Sequence, residues 1–246
     1  MNSKIGILML DTKFRRPVGD IGNEKTFSFS VTYKTVKGAS VSKVVNKAES
    51  TVLELFIESA KALEQKGTNV ITTSCGFLAI HQKEIQKQLK VPFFASSLLQ
   101  IPLVSIMAGG PIGVITASKS NLTEVHLKGV NADRYPLIIE GMDEMPAFYG
   151  AIVEENIELN EQVIYEEMRL VTRRLLEKNP RIKAIVLECT NMPPYKSAIR
   201  EVTDVPIFDI ITLTNYIYET TESISSLPKS TTGGSSVEIN LYDEID

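Results

Sequence analysis

The chain has 246 residues, 43% hydrophobic and 23% charged, enough for one large globular domain or two small ones. A formal net charge of −4, with lysines scattered rather than clustered, gives nucleic-acid binding little support. The longest apolar runs are too short to span a bilayer, and two cysteines with two histidines at no metal-ligand spacing make a poor zinc set.

Met1-Asn2-Ser3-Lys4 leads straight into an apolar run with no secretory pattern. Two cysteines 114 positions apart then read as reduced thiols of a cytoplasmic protein. Residues 4–10 form the first predicted strand. The polar stretch from Asp11 to Asn23 carries Arg15, Arg16, Gly19, Asp20 and Gly22, and is long for a strand-to-helix connection. It is either a functional loop or an ordinary long surface loop. Residues 27–33 alternate apolar and polar and predict a strand with one wet face. A helix over 48–66 puts Val52, Leu55, Phe56, Ala60 and Leu63 on one face, and Gly67 closes it.

Asn69 to Thr73 reads as a buried strand ending at Cys75, followed by a helix near 78–89. A strand at Val91-Pro92 and a helix near 97–107 lead to Ala108-Gly109-Gly110-Pro111, the clearest punctuation in the chain. Beyond it come a strand at 112–117, a helix near 119–128 capped by Ser118 or Ser120, and a strand at 135–140. A long helix over 160–178 presents Val163, Ile164, Leu170, Val171 and Leu175. The strand before Cys189, a short helix, a strand at Val205-Pro206 and a helix near 211–224 follow. Residues 230–236 read as a mobile tail, with 237–241 able to pair as an edge strand.

The order of these elements repeats. Ile5-Gly6-Ile7-Leu8 matches Ile112-Gly113-Val114-Ile115, each half then has one cysteine after an apolar run, and each cysteine precedes a Val-Pro strand by 17 positions. This is an internal duplication. Alternating strands and helices imply an α/β fold of two pseudo-symmetric parallel-sheet halves. Ligands bind beyond the carboxyl ends of such strands, where both cysteines lie, so an interdomain active-site cleft is expected.

A cysteine just before a helix should have a lowered pKa. Two such thiols facing one substrate make an acid/base pair, one removing a proton from carbon and the other returning one to the opposite face. Two buried core cysteines are the plainer alternative. His81 and His126 fall within predicted helices and read as surface or core-edge residues.

These residues resemble the aspartate/glutamate racemase superfamily, which includes hydantoin racemases, maleate cis-trans isomerases and arylmalonate decarboxylases. The likeness runs to about Thr220 and rests on the duplicated halves, one cysteine per half, and Cys189-Thr190-Asn191-Met192-Pro193-Pro194-Tyr195. It implies two flavodoxin-like halves: residues 1–108 with 210–246, the C-terminal helix returning to the first half, and residues 109–209. It implies cofactor-independent chemistry, with Cys75 and Cys189 catalytic. Asp11, Asp20, Asn23, Ser74, Gly76, Phe77, Thr116, Thr190 and Asn191 are the expected substrate-binding residues, Asp20 and Asn23 through the long loop. The amino-acid racemases have Cys-Asn-Thr where this chain has Cys75-Gly76-Phe77, and a histidine where it has Asn191. The hydantoin branch has Gly-Cys-Ala-Gly where it has Glu188-Cys189-Thr190-Asn191.

The sequence therefore predicts a cofactor-independent racemase or isomerase acting beside a carboxylate or carbonyl of a small acid or hydantoin-like substrate, without nucleic-acid or membrane partners. A homo-oligomer is left open. The alternatives are cis-trans isomerisation of a small diacid by covalent cysteine addition, and a non-catalytic small-molecule binder.

Overall fold

The structure, a computed structural model, describes residues 4–46 and 51–221. β1 (Ile5–Met9), β2 (Val31–Thr35), β3 (Val70–Thr73) and β4 (Phe93–Phe94) form one parallel sheet in the order β2-β1-β3-β4. β5 (Ile112–Thr116), β6 (Leu137–Gly141), β7 (Ala184–Leu187) and β8 (Ile207–Phe208) form a second, ordered β6-β5-β7-β8. Every residue of β1, β3, β5 and β7 is buried, as parallel strands covered on both faces require.

The duplication extends to single hydrogen bonds. The Ile71 N–H donates to the Pro92 carbonyl at 3.0 Å, and the Ile185 N–H to the Pro206 carbonyl at 2.9 Å. Just past the strands, Ser74 N–H donates to Leu8 O and Glu188 N–H to Ile115 O, both at 2.8 Å. The first half adds α1 (Thr51–Gln65), α2 (Gln82–Gln86) and α3 (Ile101–Ala108). The second adds α4 (Glu124–Gly129), α5 (Pro146–Phe148), α6 (Glu161–Lys178) and α7 (Lys196–Arg200), and α8 (Ile210–Thr221) ends the described chain.

The repeated Ile-Gly pair has a packing cause. A Cβ on Gly6 would come within 3.0 Å of Leu63 on α1, and one on Gly113 within 2.7 Å of Leu175 on α6. Glycine lets each long helix lie directly on the central strand of its half. α8 returns to the first sheet, where Ile210 and Ile211 join Ile5, Ile7 and Val70 in one cluster.

Several elements differ from the sequence reading. The second strand is Val31–Thr35; Phe27 is buried outside it, and Phe29 stacks on Tyr218 of α8 at 3.7 Å. The segments after Cys75 and Ser96 open as 3₁₀ turns, Gly76–His81 and Ser97–Gln100, before becoming α-helical. α4 starts at Glu124 behind Thr123, because Ser118 and Ser120 donate to the Asp143 carboxylate instead. Val163 and Leu170 stay 45% and 43% exposed, so α6 buries a narrower face, including Ile164, Val171 and Leu175. His126 is buried edge-on against Phe77, not at the surface. The expected start of the first long helix at 48–50, the end of the last one beyond 221, and the tail at 230–241 lie outside the described residues. No helix among the described residues is long and apolar enough to cross a membrane.

One buried carboxylate fixes a wall of the cleft. Glu167 on α6 accepts from the backbone N–H groups of Ala147 and Phe148, both at 2.8 Å, orienting α5 and the π-helical turn Tyr149–Val153 after it. Glu167→Ala leaves both donors without an acceptor and should cost about 1–3 kcal/mol. Glu167→Gln, which keeps one acceptor oxygen, should lie between it and the parent. Urea midpoints check this, and an unchanged Glu167→Ala midpoint would refute the assignment.

Candidate active site

The carboxyl ends of β3 and β7 point at each other across the halves. Thr190 Oγ1 donates to the Ser74 carbonyl at 2.7 Å, and Ser97 Oγ donates to the Leu187 carbonyl at 2.5 Å. Between them lies a small cavity of about 30 Å³. Ser74, Cys75, Gly76 and Phe77 line it from the first half, and Glu188, Cys189 and Asn191 from the second. Leu10, Val41, Val45, Ile152 and Val153 supply apolar wall, and Thr12, Phe14 and Arg16 come from the long loop after β1.

Both cysteines are free and buried, at 7% and 8% exposure. Their acidity runs opposite to the sequence expectation. Burial pushes Cys75 up to about 12 and Cys189 well above its ordinary value, and the Glu188 carboxyl adds to both. The backbone N–H groups of Phe77 and Leu78 at Cys75, and of Asn191 at Cys189, pull the other way. The turns that follow are short, 3₁₀ and buried, so their N-terminal donors are outweighed by lost hydration. The Cys75 charge adds to the upward push on Cys189 across the cavity.

A chain of hydrogen bonds runs from the loop to one thiol. Cys189 Sγ donates to Asn191 Oδ1 at 3.5 Å, and Asn191 Nδ2 donates to Asp20 Oδ2 at 2.6 Å. The other oxygen of buried Asp20 accepts from Arg16 at 2.9 Å and from the Gly22 N–H at 2.7 Å. Arg16 also donates to Thr12 Oγ1 and lies over the Phe14 ring. It is the cationic side chain of the cavity wall among the described residues. The loop is clasped to the second half by Arg15 and Glu161 at 2.6 Å and by the Lys13 N–H and Glu155 at 3.0 Å.

The expected site residues divide into three groups. Cys75, Cys189, Ser74, Gly76, Phe77 and Asn191 line the cavity. Asp20, Thr116 and Thr190 stand one bond behind it: Thr116 donates to Glu188, and Thr190 to the Ser74 carbonyl. Asp11 and Asn23 are elsewhere. Asp11 accepts from the Gly38 N–H in an exposed turn, and Asn23 braces the loop by donating to the Arg16 carbonyl. Their side chains serve backbone turns and are not brought to the cavity.

Glu188 is the residue that the sequence reading passed over. A glutamate directly after the apolar run Ala184–Leu187 and directly before a cysteine was the available signal. Its carboxyl is buried, with Oε2 accepting from Thr116 Oγ1 at 2.8 Å and the Ala117 N–H at 3.3 Å. Oε1 has no hydrogen-bond partner and lies over Gly76, where a Cβ would come within 2.2 Å of it. Burial pushes this carboxyl up to about 7. Among the described residues, no group of three or more His, Cys, Asp or Glu side chains converges as a metal site.

No family model matches the chain. Dimethylsulfoniopropionate lyases 3 and 7 of Emiliania huxleyi (strain CCMP1516) are each 30% identical to it over 223 residues, 86% of this chain and 58% and 65% of theirs. The chain thus spans less than two thirds of the length of these two relatives. The dimethylsulfoniopropionate lyase of Durusdinium sp. clade D is 27% identical over 219 residues, 85% of this chain and 72% of its own. Among solved structures, allantoin racemase from Pseudomonas fluorescens matches with a TM-score of 0.60 at 17% identity, covering 87% of this chain and 89% of that one. An aspartate racemase homologue from Pyrococcus horikoshii OT3 matches at 0.57 and 17%, covering 89% and 100%. With its two four-stranded parallel sheets and facing carboxyl ends, the chain has the two-domain α/β fold of the aspartate/glutamate racemase superfamily.

Proposed function

We propose that this chain is a cofactor-independent lyase that removes a proton α to a carboxylate and expels a β-substituent, acting on dimethylsulfoniopropionate or a close analogue. The observation that carries this is a pair of cysteines lining one cavity, in a chain whose relatives are named dimethylsulfoniopropionate lyases. A thiolate takes the α-proton. The electron pair left on the α-carbon becomes the new α,β double bond, and the β-carbon–sulfur bond breaks with its pair staying on sulfur. The products are acrylate and neutral dimethyl sulfide, and the thiol returns its proton to solvent. A thiol pushed up in pKa is a stronger base once ionised, which suits a weakly acidic carbon. Arg16 faces the carboxylate, with Asp20 holding its guanidinium in place.

Racemisation shares the first step and differs in the second, where the other thiol reprotonates the opposite face. The matched strand-end positions of the two thiols favour it as the second reading. Elimination needs a single base and a leaving group that departs without protonation, as a sulfide does.

Purified protein given dimethylsulfoniopropionate should release dimethyl sulfide and acrylate in equal amounts, followed by headspace gas chromatography and proton NMR. At least one of Cys75→Ser and Cys189→Ser should lose about 10²–10⁴-fold in turnover, the usual worth of a positioned base. Racemisation of aspartate, glutamate or allantoin with no sulfide released would overturn the lyase reading in favour of the two-base one.

Asp20 and Asn23 should separate cleanly. Asp20→Ala frees both Arg16 and Asn191 and should lower kcat/KM by about 10–100-fold, the cost of one lost buried charge-assisted bond. Asn23→Ala should lower thermal stability with a much smaller kinetic effect. Full activity in Asp20→Ala would remove the loop from the site.

A further inference from the structure

Among the described residues, one buried glutamate lines the cavity and another braces its wall, and they are treated differently. Glu167 has both oxygens occupied by backbone donors. Glu188 has both of its donors on Oε2, while Oε1 lies unpartnered over Gly76 on the cavity wall. A carboxylate buried with an open oxygen is costly unless a donor or a positive charge comes to it. The cavity already has Arg16 as its cationic wall residue, and most of the remaining wall is apolar. Its charge pattern is therefore that of a small zwitterion: an anion beside Arg16, a cation beside Glu188, and hydrocarbon between.

We propose that Glu188 is a specificity-determining residue that selects carboxylates bearing an onium group, sulfonium or quaternary ammonium, by serving as the counter-ion to the positive centre. This rests on the lyase reading above and names the substrate class of that site. Gly76 is what makes room for it. A side chain there would meet Oε1 at 2.2 Å and the Glu188 carbonyl oxygen at 2.3 Å, so the open oxygen and the glycine form one feature.

The counter-ion also bears on the thiols. After burial, the Glu188 charge is the next contribution to the upward push on both cysteines. A bound onium group offsets that second part of the push and leaves the larger part, from burial, in place. An uncharged substrate of the same shape gives no such relief.

The test uses ligands that bind without reacting readily. 3-(Trimethylammonio)propanoate carries the onium charge, and 4,4-dimethylpentanoate is its uncharged carbon isostere. By titration calorimetry at pH 8, the wild-type protein should prefer the onium ligand, and Glu188→Gln should weaken that ligand by about tenfold or more while leaving the isostere within about twofold, as loss of one buried charge pair predicts. A merely structural effect would weaken both ligands equally and would overturn the proposal, as would a wild-type protein that binds the isostere as well as the onium. Should Glu188→Gln not fold, the wild-type protein alone decides. The onium binds the ionised carboxyl, so its affinity should rise as pH passes upward through about 7, and the isostere's should not. The other titratable groups of the cavity are the two thiols, pushed above this range, and Arg16, with Asp20 behind it; His126, beside Phe77, is pushed down to about 4. A flat profile for the onium overturns the assignment. Failure of the lyase reading shows separately, as absence of dimethyl sulfide release, and leaves this ligand comparison readable.

Discussion

The site exists because two sheets are held with their carboxyl ends face to face. The contacts that do this go to backbone carbonyls at the strand ends: Thr190 to Ser74, and Ser97 to Leu187. A backbone carbonyl just past a strand cannot turn away as a side chain can. The two cysteine-bearing turns are therefore fixed relative to each other through the framework itself. The interdomain cavity, the burial of both thiols and the packing of Glu188 on Gly76 follow from that docking.

Burial then decides the chemistry of the groups inside. In an open cleft, backbone donors at the start of a turn would dominate and both thiols would ionise readily. Here the same donors are present and are outweighed. A cavity that keeps both thiols protonated is a restrained one, since stray electrophiles meet thiol rather than thiolate.

The fold was legible because it is written twice. Ile-Gly, cysteine and Val-Pro recur in register, and each turned out to mark an equivalent place: helix contact at Gly6 and Gly113, strand end at Cys75 and Cys189, and a carbonyl accepting from the central sheet at Pro92 and Pro206. The cavity was legible only in its cysteine turns and in part of the loop. Asp11 and Asn23 carry residue types that suit a ligand and that suit a turn equally well, and the turn took both. The sign of the thiol shift could not be read from a cysteine before a helix, because it depends on how deeply the opposite half covers the turn. Glu188 went unread for a related reason: its surroundings come from Thr116, Ala117 and Gly76, which are 72, 71 and 112 positions away in sequence.

The clasp of Thr190 on Ser74 and Ser97 on Leu187 has a consequence for how the protein fails. Each sheet has its own hydrogen-bond ladder, but neither half alone has a complete site. The cavity therefore reports on the docking of the halves, a looser quantity than the integrity of either. Mild denaturant that parts them by a few ångströms would dismantle the cavity while both ladders still protect their amides from exchange. Loss of the site would then precede unfolding and reverse with it, because the cysteines, once parted, sit in separate halves with no common cavity between them.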